Sequence, residues 1–150
     1  MADKSYQTLE HQIAQIHRLL EGMDANVTWN DRIPDPDNPK QERQVDISIR
    51  RDGRLTLVEC RAWKAPQDVT WIEELDGRSR SLNADAIIGV SSSGFTQTAL
   101  LKAARLGVIL RDFETLSPEE ICTWGELSSL TLIFHEFRDV EVTIMMPVSL

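Results

Sequence analysis

The sequence predicts an α/β domain in which helices flank a mixed β-sheet, and three stretches of its 150 residues carry this prediction. Residues 44–64 contain Asp52 and Gly53 between two runs of alternating apolar residues, a pattern typical of a β-hairpin. Residues 86–112 show a strand–helix–strand order, which implies two parallel strands joined by a right-handed crossover. An amphipathic helix precedes both stretches.

Length and composition are those of one domain that can bury about two thirds of the surface its unfolded chain exposes. The first residues show no basic segment followed by an apolar one, and no run approaches the ~18 apolar residues of a membrane span. We therefore expect a cytoplasmic protein with no membrane association. Cys60 and Cys122 are the only cysteines and show no zinc-ligand spacing with the three histidines, so both are predicted to be structural.

The charge is unevenly distributed along the chain. The net charge is −8, yet residues 43–111 hold eleven Lys and Arg against eight Asp and Glu, which gives +3 there and −11 elsewhere. This asymmetry allows a basic groove within an acidic envelope, although scattered surface charge gives the same totals. Tight binding to bare DNA without a metal or a partner is not expected, because phosphate neutralisation dominates that affinity.

The first third of the chain is predicted to contain a helix over 5–21, which Ser5 can cap and Gly22 can end. Its apolar residues recur at three- and four-residue spacing: Leu9, Ile13, Ile16 and Leu20. Residues 26–31 suggest a short strand. Residues 31–43 are rich in Pro, Asp and Asn without periodicity, which predicts a surface loop.

The hairpin allows its register to be computed. A two-residue turn at Asp52 and Gly53 pairs residues whose numbers sum to 105, so that Asp46 faces Glu59. The other face of the hairpin is then nearly all apolar, with Val45, Ile47, Ile49, Thr56, Val58 and Cys60.

Two carboxylates on facing strand positions lie roughly 5 Å apart, which costs stability unless a positive charge lies between them. Mg²⁺ would satisfy Asp46 and Glu59, because this ion takes oxygen ligands and keeps several waters. The alternative is a solvated strand face on which Arg61, two residues beyond, neutralises Glu59.

The elements after the hairpin alternate between helix and strand. Asp68 can cap a helix over 69–82 with Val69, Ile72 and Leu75 directed inward. Residues 86–90 form a short apolar run typical of a strand buried on both faces, and 108–113 are predicted to be the next buried strand. Between them lies a helix over 97–106, which Thr96 would cap and Gly107 would end. The loop at 91–96 could bind an anion at the helix N-terminus or be an ordinary turn.

The C-terminal part is predicted to add a helix over 117–125 and a β-hairpin within 128–150. We expect one domain over 1–127. The hairpin would then extend the same domain, begin a further segment, or mediate assembly.

The residues at the end of the central hairpin carry a resemblance to a known family. Val45 and Asp46 on one strand, with Glu59 and Arg61 on the next, resemble the PD-(D/E)XK nuclease core, specifically its Mrr-like restriction-endonuclease branch. The resemblance covers residues 6–113. It implies a restriction-endonuclease-like core with αβββαβ order and a metal-dependent endonuclease that hydrolyses DNA in restriction or defence.

The resemblance also implies roles for single residues. Asp46, Glu59 and the backbone carbonyl of Cys60 would hold Mg²⁺, with Mn²⁺ as a substitute. Glu10 of the first helix could reach the metal or be a solvated helix carboxylate. Arg78 and Arg80 could point toward phosphates or toward solvent.

The chain departs from the family pattern at one catalytic position. Arg61 stands where the family usually has Lys, and arginine, being always protonated, could stabilise charge but could not act as a base. Lys64, three residues on, could supply the lysine instead.

Two other classes of protein therefore stay open. One is a catalytically impaired nuclease-fold module that binds DNA or assembles a larger machine. The other is a structural interaction domain that uses the C-terminal strands to bind a partner protein. The nuclease hypothesis further predicts DNA as partner, and a homodimer if both strands of a duplex are cut.

Overall fold

The computed structural model describes residues 4–22 and 24–113, which form a five-stranded mixed sheet between helices. The sheet order is β1-β2-β3-β4-β5, antiparallel from β1 to β3 and parallel from β3 to β5. The elements in chain order are α1 (Lys4–Glu21), β1 (Asn26–Pro34), β2 (Glu42–Arg51), β3 (Arg54–Arg61), α2 (Val69–Ser81), β4 (Ala86–Ser91), α3 (Gln97–Leu106) and β5 (Ile109–Asp112). The predicted α/β class and the αβββαβ order are confirmed.

The hairpin register is confirmed over the paired part of β2 and β3. The ladder runs from Arg51 opposite Arg54 to Ile47 opposite Val58, which is the predicted pairing. Asp52 and Gly53 have φ values of 50° and 76°, as a turn with two positive φ angles requires.

Two apolar clusters lie on opposite faces of the sheet. Along β3, Leu57 belongs to the cluster under α2 and α3, whereas Val58 and Cys60 belong to the cluster under α1. Successive side chains of a strand point to opposite faces, so α1 covers one face and α2 with α3 the other.

The prediction of a loop over 31–43 was wrong at both ends. Strand β1 continues to Pro34, which pairs with Glu42 at the start of β2, so that only 35–41 connect the strands. The polar composition of residues 31–43 led to the wrong prediction because β1 is an edge strand. An edge tolerates polar residues and a proline, whose missing N–H is not needed there.

The predicted apolar face of the hairpin was wrong for Val45. Ile47 and Ile49 pack under α1, but Val45 packs in the cluster under α2 and α3, as does Ile33 of β1. The change of face occurs at Asp46, and the pairing between β1 and β2 skips the facing position there, which Asn30 occupies with a φ of 51°. The prediction assumed that side chains alternate regularly between the two faces of the sheet. This alternation is interrupted in β1 at Asn30 and in β2 at Asp46.

The termini of the later helices follow the sequence. Asp68 accepts hydrogen bonds from the N–H groups of Thr70 and Trp71, Thr96 accepts one from Ala99, and Gly107 ends α3 with a φ of 75°. All three predicted caps are confirmed.

Burial near the later elements departs from the prediction at two places. Val69 is only half-buried, and Trp71 joins Ile72 and Leu75 on the buried side of α2. Strand β5 is an edge strand and not a buried one, with Ile109 37% exposed.

The predicted helix over 117–125, the C-terminal hairpin and Cys122 lie outside the described residues. Within the part of the chain that the structure describes, no helix has the length and apolar content that a membrane crossing requires.

Candidate active site

Asp46 and Glu59 are the first residues beyond the last paired positions of the hairpin. Asp46 is 8% exposed, and its Oδ2 accepts a 2.8 Å hydrogen bond from the N–H of Cys60. The side chain of Glu59 is 12% exposed, and its Oε1 lies 3.3 Å from Nη1 of Arg78 on α2. Glu59 lines a cavity of about 640 Å³ between the end of β3 and α2.

Burial raises the pKa of the Glu59 carboxyl to about 8. The negative charge of Asp46 is the second cause, and a side-chain hydrogen bond with Asp46 and the charge of Glu10 act in the same direction. Arg78 opposes them. The two carboxyl groups therefore interact directly, and Arg78 is the cation beside them.

Glu10 of α1 approaches the same site from the opposite layer. It is 6% exposed, and its Oε2 accepts a 2.9 Å hydrogen bond from Nε1 of Trp29. The alternative of a solvated carboxylate is thus wrong for Glu10. Cys60 is buried as expected, and burial, reinforced by the neighbouring acids, raises the pKa of its thiol well above its usual value.

The residues at the site fit a divalent cation held by two acids. Within residues 4–22 and 24–113, no group of three or more His, Cys, Asp or Glu is arranged to hold a metal ion. Mg²⁺ does not need such a cage, because it usually binds through one or two carboxylates and retains water. Oε1 of Glu59 is buried and accepts no hydrogen bond, since the Arg78 contact has only ion-pair distance. This atom would be satisfied by a cation.

Arg61 does not neutralise Glu59. Its Nη2 forms a 2.7 Å ion pair with Glu74 of α2, and its Nη1 lies 3.5 Å from Oε1 of Gln67. The guanidinium Cζ also lies 4.7 Å from the ring centre of Trp63 and 4.9 Å from that of Trp71. The cation at the family's lysine position is therefore fixed on the α2 side of the cavity.

The other predicted cations lie in different surroundings. Arg78 contacts Glu59 and donates a 2.8 Å hydrogen bond to the carbonyl of Gln44, so it belongs to the site. Arg80 pairs with Asp76 at 3.0 Å and is 73% exposed, outside the cavity lining. Lys64 is exposed and forms no hydrogen bond or ion pair with any described residue.

Sequence reasoning missed Gln67, which holds the segment after β3 in place. It is 2% exposed, its N–H donates to the carbonyl of Gly94, and its own carbonyl accepts from the N–H of Thr96. Its side chain donates to the carbonyl of Ala65. A single glutamine between two loop residues carries no periodic pattern, so no feature of the sequence pointed to it.

Residues 5–118 match the family model for the restriction endonuclease catalytic domain of Mrr type. The chain belongs to this restriction endonuclease family. Restriction-endonuclease-like proteins generally use divalent metals, which agrees with the donor set at the hairpin end. A search of curated proteins finds no significant match.

Three solved structures share the fold of this family member. The crystal structure of the protein of unknown function AF1548 is 14% identical, with a TM-score of 0.63 over 79% of this chain and 65% of that one. Can2 from Sulfobacillus thermosulfidooxidans, in complex with cyclic tetra-adenylate, is 16% identical, with a TM-score of 0.53 over 69% of this chain and 31% of that one. VC1899 from Vibrio cholerae is 17% identical, with a TM-score of 0.56 over 79% of this chain and 31% of that one. The chain thus covers less than two thirds of each of them.

Proposed function

We propose that this restriction endonuclease family member is a Mg²⁺-dependent endonuclease that hydrolyses DNA phosphodiester bonds. The observation that carries the proposal is the interaction of buried Asp46 with the largely buried Glu59 at the end of the hairpin, where Glu59 lines an arginine-rich cavity. A pair of acids held this close is unfavourable in the empty protein and favourable once a cation is bound.

The proposed metal ligands lie at the end of the hairpin. Asp46, Glu59 and the carbonyl of Cys60 would hold Mg²⁺, or Mn²⁺ in its place, and the charge of Glu10 would add to the attraction for a cation. The metal supplies an activated water and polarises the phosphate. The hydrogen bond from the Cys60 N–H fixes the carboxylate of Asp46.

The arginines of the cavity supply fixed positive charge. Arg61 and Arg78 both line it, and a permanently protonated guanidinium can stabilise the negative charge that develops on the phosphate. Neither can accept a proton from water. The proton of the attacking water would therefore pass to solvent, or to Lys64 if that side chain moves into the cavity.

The proposal is tested by cleavage of plasmid DNA in Mg²⁺. We expect Asp46→Asn and Glu59→Gln to reduce cleavage below detection, because each removes one of the two charged ligands. Glu73→Gln is the matched control, since it neutralises an exposed carboxylate of α2 that pairs with Lys102. Circular dichroism checks that all variants fold, and EDTA should abolish the wild-type reaction. Unchanged cleavage by either ligand variant would refute the assignment.

A second function is favoured by the position of Arg61. The family's lysine is absent, and the arginine in its place is bound to Glu74 at 2.7 Å rather than directed at the acid pair. A catalytically impaired module that binds DNA would have this feature. Wild-type protein that never cleaves, together with DNA binding that is lost in Arg61→Ala and Lys64→Ala, would support this second function.

A further inference from the structure

Trp63 is a large aromatic side chain that the fold leaves in solvent. It is 60% exposed, whereas Trp71, on the same cavity, is 4% exposed. Its indole belongs to the lining of a polar cavity, where it is accessible to a ligand that enters.

The indole of Trp63 is held in place by a cation–π contact with Arg61. The guanidinium Cζ of Arg61 lies over both tryptophan rings, 4.7 Å from the centre of Trp63 and 4.9 Å from that of Trp71. Arg61 is in turn fixed by its 2.7 Å ion pair with Glu74. The contact with Arg61 therefore fixes the indole of Trp63 before a ligand binds, while most of its surface remains accessible.

The surroundings of this ring are charged rather than apolar. Five of the eleven residues that line the cavity are charged, and three of these are arginines. The core of a protein–protein interface is depleted of charged residues, unlike this cavity lining. A single exposed aromatic ring among arginines is the combination with which proteins bind unpaired nucleotides, where a base stacks on the ring and cations contact the phosphates.

We propose that Trp63 stacks on an unpaired DNA base, so that the preferred substrate carries an unpaired nucleotide within a few nucleotides of the phosphate that is cut. This inference rests on the proposed function for the identity of the substrate. Inside a duplex both faces of a base are covered by its neighbours, so an indole stacks most readily on a base that is single-stranded or turned out of the helix.

The spacing along the chain places the ring near the acid pair. Trp63 follows Glu59 by four residues, which limits their Cα separation to roughly 13 Å. That upper limit corresponds to a few nucleotides of one DNA strand. One strand could thus contact Trp63 with a base while a phosphate a few nucleotides away lies at Asp46 and Glu59.

The test is equilibrium binding of fluorescein-labelled DNA in EDTA, where cleavage cannot interfere. The probes are a 20-nucleotide single strand and the blunt duplex of the same sequence. The variants are Trp63→Ala, Trp63→Phe, which retains an aromatic face, and Leu101→Ala, which removes an apolar side chain that is 64% exposed on α3 and outside the cavity.

We expect Trp63→Ala to weaken single-strand binding about 5- to 150-fold, the range that corresponds to ~1–3 kcal/mol of stacking on one base. Duplex binding should change less than about twofold, and Trp63→Phe should recover most of the loss. The salt dependence should stay the same, because no phosphate contact is removed. Leu101→Ala should bind as the wild type does.

Three results would overturn the inference: no measurable single-strand binding by the wild type, an equal loss on both probes, or no loss on either. The cleavage assay is separate. Wild-type cleavage that depends on Asp46, with no effect of Trp63→Ala on binding, would refute the stacking role alone. Single-strand binding that depends on Trp63, without any cleavage, would refute the nuclease proposal and leave the stacking role standing.

Discussion

The replacement Glu59→Gln should make the metal-free protein more stable at neutral pH. The pKa of Glu59 is raised from 4.5 to about 8 by burial and by Asp46, so the folded state holds this proton more tightly than the unfolded state does. The stability contributed by the bound proton is complete below pH ~4.5 and is lost as the pH rises toward 8. Glutamine keeps the shape of the protonated acid and does not titrate.

The size of the effect follows from the two pKa values. Between pH 5 and pH 7 the titration of Glu59 should remove roughly 2–3 kcal/mol of the free energy of unfolding, and the total loss above pH 8 should be on the order of 5 kcal/mol. The pKa of about 8 for Glu59 already includes the effect of Arg78, the cation that lowers it. The variant should lack this part of the pH dependence.

The assay is urea unfolding of both proteins in EDTA at several pH values between 5 and 9. The difference between the two stability curves reports Glu59 and its coupling to Asp46, because the remaining groups titrate in both proteins. Adding Mg²⁺ at pH 8 should stabilise the wild type and leave Glu59→Gln unchanged, since the ion binds the ionised pair. Curves that fall in parallel between pH 5 and pH 7 would refute the claim that burial and Asp46 disfavour the charged carboxylate.

The remaining predictions concern single positions near the site. Arg78→Gln should move the titration of Glu59 above pH 8, because it removes the cation that lowers this pKa, and carboxyl-carbon NMR would detect the shift; an unmoved midpoint would mean that the 3.3 Å ion pair does not affect the acid. Arg61→Lys should increase plasmid cleavage by restoring the family's residue, and the same or lower cleavage would show that the arginine is the adapted choice. Gly89→Ala should destabilise the protein by about 1–3 kcal/mol, because the added methyl group would lie 2.6 Å from a leucine of α2, whereas Gly77→Ala, with nothing within 4 Å, should stabilise α2 by roughly 0.5–1 kcal/mol. Equal melting temperatures for these two glycine variants would contradict that packing.

The sequence predicted those parts of the fold that depend on local chemistry. The turn at Asp52 and Gly53 fixes the register of the hairpin, because few other residues adopt two consecutive positive φ angles. The caps Asp68 and Thr96 follow equally from short-range hydrogen bonding. The register places Asp46 and Glu59 next to each other just beyond the paired part of the hairpin, where their carboxyl groups interact.

The parts that were missed depend on the tertiary structure. The length of β1 could not be predicted, because a strand that contains Asp31 and Pro34 is acceptable only at an edge. The partner of Arg61 could not be predicted either, since Glu74 approaches from a helix 13 residues away. The metal-binding role of the acids and the DNA-binding role of the arginines remain predictions.

The interruption of β2 at Asp46 has a mechanical consequence. On one side of this residue the strand contributes Val45 to the layer of α2 and α3, and on the other it contributes Ile47 to the layer of α1. The same strand is thus anchored in both halves of the molecule, with the carboxylate at the crossing point. A shift of either helical layer against the sheet would move the carboxylate of Asp46 relative to that of Glu59. A ligand that binds to one face of the domain would therefore change the geometry of the acid pair.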